Sequence, residues 1–168
     1  VYSLNVPVPG RVRRLANDLH PHLAAFAHQP SDHTLLCKRL DASTPSERHR
    51  VQRQVRDALG GLPPFALEVT GVDHFENPTS GTSPVVYLTV ESPGLRDAHD
   101  RLVDALGAMP GLGGDDYTPH VTLARDGRLA DAEAAASVDI DPIRWTASRL
   151  EFYDAHREEP AGEIRLPA

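Results

Sequence analysis

The stretch Pro119-His120-Val121-Thr122-Leu123-Ala124-Arg125 sets a histidine and a threonine two residues apart in a run of apolar, strand-forming residues. Residues i and i+2 of a strand point to the same face. One imidazole and one hydroxyl therefore project side by side from a rigid element. That suits proton transfer and hydrogen bonding to an oxyanion. One such pair is half a site, so a complete one needs a partner elsewhere in the chain.

The segments around this strand follow one order twice. Leu4 to Val8 reads as a strand closed by Pro7 and Pro9. Apolar residues at helical spacing follow from Arg11 to Phe26, with Pro21 marking a kink or an end. His33 to Leu40 reads as a strand. Thr44-Pro45-Ser46-Glu47 is a capping box with proline at the first helical position, and that helix ends at Gly60-Gly61. Phe65 to Phe75 alternates as a half-buried strand. The turn-rich segment 76–84 is the candidate linker between two lobes, about 1–75 and 85–153. The second run comprises a strand at Val85 to Val90, a helix at Leu95 to Leu106 and the strand His120 to Arg125. A short helix at Leu129 to Ala136 and one long strand at Ile143 to Tyr153 complete it, and a last strand covers Glu163 to Leu166. His33 and His120 stand 87 residues apart, about half the chain, which an internal duplication explains. The expected architecture is α+β and bilobal: two antiparallel-rich sheets with flanking helices and a central cleft, in a single domain of 168 residues.

Composition narrows the function. A net charge of −7 opposes a broad, non-specific grip on nucleic acid but leaves room for a local basic site. No apolar run approaches the ~20 residues that cross a bilayer. The N-terminal residues lack the basic-then-apolar order of a signal peptide, and the single cysteine, Cys37, has no disulfide partner within the chain. A cytoplasmic monomer is expected. Cys37 reads as a small buried hydrophobe. His20 and His22 fall on different faces of a helix with no third ligand evident, and no Walker loop, nucleophile elbow or zinc-type cluster is present.

If the two histidine strands meet across a cleft, His33 and His120 can serve as general acid and general base. Thr122 would then donate to a non-bridging phosphate oxygen. Lys38 and Arg39 follow the first histidine; Arg125 and Arg128 follow the second. Lys38 and Arg125 are the candidate phosphate contacts, although five residues along an unbulged strand is the opposite face.

These motifs resemble the two-histidine phosphoesterase superfamily, especially its 2′–5′ RNA ligase-like, RNA 2′,3′-cyclic phosphodiesterase branch. That family carries two H-x-[T/S]-hydrophobic motifs, one per lobe of a duplicated α+β fold. Pro119 to Arg125 looks like its second motif unaltered. Phe65 to Phe75 and Val85 to Leu88 resemble the strands that flank the middle of the fold, and the likeness covers about residues 2–153. The resemblance implies a cyclic phosphodiesterase needing no metal and no cofactor. It implies His33, His120 and Thr122 as catalytic residues, with Arg125, Lys38 and Phe75 at the substrate. RNA ends or cyclic nucleotides are the implied partners, without a membrane. A non-catalytic RNA-end or nucleotide binder and a 2′–5′ ligase-like activity are the alternatives.

The first motif departs from the pattern. Leu35 stands two residues after His33, and Thr34 should face away from it in a regular strand. Either the site works with one threonine, or a bulge turns Thr34 inward, or the first half-site has decayed.

Overall fold

In the computed structural model, which describes residues 2–78 and 81–168, the elements follow the doubled order. They are β1 (Tyr2–Val6), α1 (Gly10–Asp18), β2 (Leu35–Leu40), α2 (Pro45–Ala58), β3 (Phe65–Phe75) and β4 (Val85–Glu91). Then come α3 (Pro93–Leu106), β5 (His120–Arg125), α4 (Leu129–Ala136), β6 (Ile143–Ala147), β7 (Arg149–Asp154) and β8 (Glu159–Arg165). Local signals account for several boundaries. The Thr44 hydroxyl accepts from Glu47 N at 3.2 Å, and the Glu47 carboxylate accepts from Thr44 N at 3.0 Å, the reciprocal pair that starts α2. The Ser92 hydroxyl accepts from Leu95 N at 3.1 Å and starts α3 at Pro93, two residues before the apolar stripe begins. Helix α1 stops at Asp18, and Pro21 falls in a separate 3₁₀ turn, His20–Leu23.

The strands pair antiparallel in the order β6-β3-β4-β5-β2-β1-β7-β8. This order holds two four-stranded halves. Strands β5 and β2 join them through one pair of residues, Leu35 with Val121. The expected long strand from Ile143 to Tyr153 is two strands broken at Ser148. Strand β6 pairs with β3 at one end of the order, and β7 pairs with β1 near the other. One residue cannot span a flat sheet of that width, because chain reach is at most ~3.6 Å per residue. The sheet therefore curls until its two ends approach each other. The result is an α+β fold built on a curled antiparallel half-barrel flanked by helices.

The pairing divides the chain differently from the expected lobes. Phe75 pairs with Val85, so segment 76–84 connects the strands of a hairpin, and β3 belongs to the half that holds β4 and β5. Strand β7 correspondingly pairs with β1 in the other half. Each spatial half thus takes its third strand from the opposite half of the sequence. A short antiparallel connection favours the adjacent partner over one across the fold.

The buried side of the sheet forms one apolar cluster, including Leu4, Leu35, Cys37, Leu88, Val121, Leu123 and Phe152. Cys37 is fully buried, and burial pushes its thiol up to about 12, which leaves it inert. Because the halves share a single residue pair, β2 carbonyls beyond Leu35 need other partners. Side chains supply them. The Tyr117 hydroxyl donates to Leu36 O at 2.6 Å, and His99 Nδ1 donates to Cys37 O at 2.8 Å. His99 Nε2 then accepts from Gly114 N at 3.1 Å, and its ring stacks on Tyr117 at 3.8 Å. Helix α3, strand β2 and the loop that enters β5 are tied together at one buried imidazole.

That imidazole must be neutral to accept from Gly114, and burial holds its pKa below the ordinary 6.5. The unfolded state binds the proton more tightly than the folded state. The contribution of His99 is therefore complete above about 6.5 and is lost as pH falls through the lower folded value. His99→Ala should cost about 3 kcal/mol in urea denaturation at pH 7.5, from a cavity and two orphaned backbone groups. The gap between wild type and variant should narrow as the measurement is repeated towards pH 5.

Candidate active site

On β5, Val121 and Leu123 are buried in the core, so His120 and Thr122 face away from it. They line a cleft of about 520 Å³ together with Thr34, Leu36 and Arg39 of the β2 segment, Ser3 and Asn5 of β1, and Phe75, Tyr117, Arg125 and Tyr153. The seam between the two half-sheets runs beneath this cleft.

Two bulges shape its charge. On β5, Tyr87 pairs with Thr122 while its neighbour Val86 pairs with Ala124, so Leu123 is an extra residue. On β2, Asn5 pairs with Leu36 while Leu4 pairs with Lys38, so Cys37 is the extra residue. Each bulge buries two consecutive residues and restores cleft-facing phase one position later. Arg125 therefore shares the cleft with Thr122, and Arg39 shares it with Leu36. The parity argument for an unbulged strand fails for Arg125 for this reason. Its backbone is fixed by exchanged hydrogen bonds with His28, at 2.8 and 3.1 Å. Burial first, and Arg39 second, push the Arg125 guanidinium below its ordinary pKa. Two cations thus face one cleft. Among the described residues Arg39 joins no ion pair, and its buried Nε has no hydrogen-bond partner. An anion would relieve both conditions.

The bulge sends Lys38 the other way. It is only 3 % exposed, burial lowers its pKa, and it borders a separate depression with Asp41 and Arg50. Expected at the substrate, it lies outside the cleft. His33 is not among the cleft-lining residues either. It precedes β2, and it has the same parity as the buried Leu35. Its pKa is lowered by burial and next by Arg13. Thr34, expected to face away, lines the cleft without any bulge between it and Leu35, because Leu35 points into the core.

His120 is held in a defined tautomer. Its Nδ1 lies 2.7 Å from Thr118 O, and a carbonyl only accepts, so Nδ1 carries the proton and Nε2 keeps its lone pair. Burial lowers the pKa of the ring; the Thr118 bond opposes this, and Arg125 adds to it. Phe75 and Tyr87 stack at 4.2 Å, and both meet the His120 ring edge-on at 5.3 Å. This aromatic pair fixes the imidazole; Phe75 lines the cleft, and the buried Tyr87 backs it. Across the cleft, the Tyr153 hydroxyl donates to Asp32 at 3.2 Å.

Sequence reasoning assigned no role to Ser3, Asn5, Tyr117 and Tyr153, which come from distant segments and carry no local motif. Arg39 was recognisable as a basic residue, but its face depends on the bulge. Among the described residues, one group could hold a metal ion: His74, Glu76 and Glu133, with ligand atoms within 4.8 Å of one another. None of the three lines the cleft. No helix among the described residues is long and apolar enough to cross a membrane.

A duplicated half-barrel with a histidine strand at its seam defines a class, and comparison with known proteins identifies it. A family model described as the 2′-5′ RNA ligase superfamily matches residues 8–159. The chain belongs to that superfamily, the group of two-histidine phosphoesterases. An RNA 2′,3′-cyclic phosphodiesterase of Methanothermobacter thermautotrophicus is 31% identical over 120 residues, 68% of this chain and 64% of that protein. The match spans less than two thirds of that relative's length. Escherichia coli LigT, solved with 3′-AMP, superimposes with a TM-score of 0.72 at 16% identity, covering 99% of this chain and 98% of that one. A Thermus thermophilus structure gives 0.68 at 18% identity, covering 98% and 97%. These likenesses establish the fold.

The site geometry is open to a direct check. Nitrogen-detected NMR of the histidine rings should find His120 as the Nδ1–H tautomer with a pKa below 6.5, the ordinary value. A predominantly Nε2–H ring would contradict the bond to Thr118.

Proposed function

We propose that this chain is a phosphoesterase that hydrolyses 2′,3′-cyclic phosphates in RNA ends or nucleotides, with His120 as the general base. The observation that carries this reading is one cleft lined by an imidazole with its Nε2 lone pair available, a hydroxyl two residues along, and two guanidiniums. The cyclic phosphodiesterase activity of the Methanothermobacter relative supports it, as does the 3′-AMP complex of LigT. A phosphate bridging Arg39 and Arg125 would place its phosphorus against β5. Water between phosphorus and His120 would give its proton to Nε2 as its oxygen forms the new P–O bond. The bond to one ribose oxygen then breaks, and that oxygen gains a proton. Thr122 would donate to a non-bridging oxygen as negative charge builds on it. Phe75, backed by the buried Tyr87, offers a face for the base or ribose beside the reacting group. As proposed, the enzyme acts as a monomer in the cytoplasm, without a bound metal or cofactor.

His120→Ala should lower kcat/KM on 2′,3′-cyclic AMP by about 10²- to 10⁴-fold, the range of general base catalysis. Thr122→Val removes one hydrogen bond to a charged oxygen, worth roughly 1.5–3 kcal/mol, and should cost about 10- to 150-fold. The rate should rise with pH through a value below 6.5, where His120 loses its proton, and then level off. EDTA should leave the rate unchanged. Tight binding of an RNA ending in cyclic phosphate with no turnover would favour a binding protein instead.

A further inference from the structure

Strands β2 and β5 pair at Leu35 and Val121, and a two-fold axis that maps this pair onto itself relates the half-sheets. It superimposes residue 35 on residue 121, an offset of 86 positions. The bulges agree independently: Cys37 is the extra residue of β2 and Leu123 the extra residue of β5, again 86 apart. Burial agrees as well. Leu35, Cys37 and Lys38 are buried with Leu36 and Arg39 half-buried; Val121, Leu123 and Ala124 are buried with Thr122 and Arg125 half-buried. The matched aromatic positions complete the pattern. Tyr153 pairs with Ser3 just before Leu4, as Phe75 pairs with Val85 just before Val86, and both rings line the cleft.

With this offset the counterpart of Arg125 is Arg39, and the counterpart of Thr122 is Leu36. The counterpart of His120 is Thr34. His33 is one residue out of register, ahead of β2, and Thr34 lines the cleft while His33 does not. We infer that this cleft works with one imidazole: Thr34 occupies the second histidine position, and His33 takes no part in the chemistry. The inference rests on the phosphoesterase reading and specifies its second half-site. His120 takes the proton of the attacking water. The leaving ribose oxygen, with no imidazole beside it, takes its proton from solvent water. Arg39 keeps the charge of the β2 half-site, so binding of the phosphate survives where the acid is missing.

The test compares His33→Ala, His120→Ala, Thr34→His and wild type on 2′,3′-cyclic AMP, with the histidine rings followed by NMR during titration with adenosine 2′-monophosphate. His33→Ala should retain turnover within about twofold of wild type, whereas His120→Ala loses at least about 100-fold. The nucleotide should raise the pKa of His120 and leave that of His33 where it was. Thr34→His should introduce a new ring resonance that responds to the nucleotide, and should raise turnover about tenfold or more as an acid is restored. Loss of turnover in His33→Ala as deep as in His120→Ala, or a response of His33 to the nucleotide, would overturn the inference and leave the phosphoesterase reading standing. Absence of turnover in every protein, with no ring responding to the nucleotide, would overturn the phosphoesterase reading itself. The NMR arm on wild type decides the inference even if Thr34→His fails to fold.

Discussion

The joint between β2 and β5 governs the rest of the molecule. Two four-stranded half-sheets meet at one residue pair, Leu35 with Val121. A longer ladder would flatten the sheet and close the cleft. Without any pair, the two sets of functional side chains would have no fixed relation. One pair holds position while leaving the strands free to diverge. The cost falls on the carbonyls left without a strand partner, and buried carbonyls need donors. The Tyr117 hydroxyl and His99 ring meet that need at Leu36 and Cys37. Both come from the α3–β5 region, so the groups that satisfy the seam also fix the approach to β5. The Thr118 carbonyl that sets the His120 tautomer lies next to Tyr117 in that same segment.

Bulges at Cys37 and Leu123 then decide the electrostatics. A regular strand would alternate Arg125 out of the cleft. One extra residue in each strand turns a guanidinium inward on both sides of the seam, in a protein whose net charge is −7. Burial first, and the neighbouring Arg39 second, lower the Arg125 pKa, and an anion in the cleft would offset both. Local geometry overrides the overall charge, so a chain with an acidic composition presents two guanidiniums to one cleft.

Much of this was legible in the chain. The strand His120–Arg125, the capping box at Thr44 and the bounds of Phe65–Phe75 depend on local patterning, which side-chain chemistry writes into the sequence. The likeness of the segment from Pro119 to Arg125 to a known motif led to the superfamily that the family model bears out. What stayed hidden depends on pairing. The break at Ser148 separates two strands that are equally apolar, and only their partners at opposite ends of the order reveal it. The exchange of β3 and β7 between halves follows from the hairpin at Phe75 and Val85, which resembles a linker when only composition is read. The roles of Lys38 and Arg39 traded places because a bulge shifts phase without leaving any signature in residue type.

The histidines show the same limit at its sharpest. Matching imidazole to imidazole gives an offset of 87; matching strand pair, bulge and burial gives 86. On a helix such a difference rotates a side chain by about 100°. On a strand it reverses the side chain, and just ahead of β2 the outcome is the same: Thr34 lines the cleft and His33 does not. The two halves are therefore alike in scaffold and unlike in chemistry. The β5 half offers a base, a hydroxyl and a guanidinium; the β2 half offers Thr34, Leu36 and a guanidinium. Guanidiniums stand on both sides of the seam and an imidazole on one, so the scaffold is symmetric where the side chains are not.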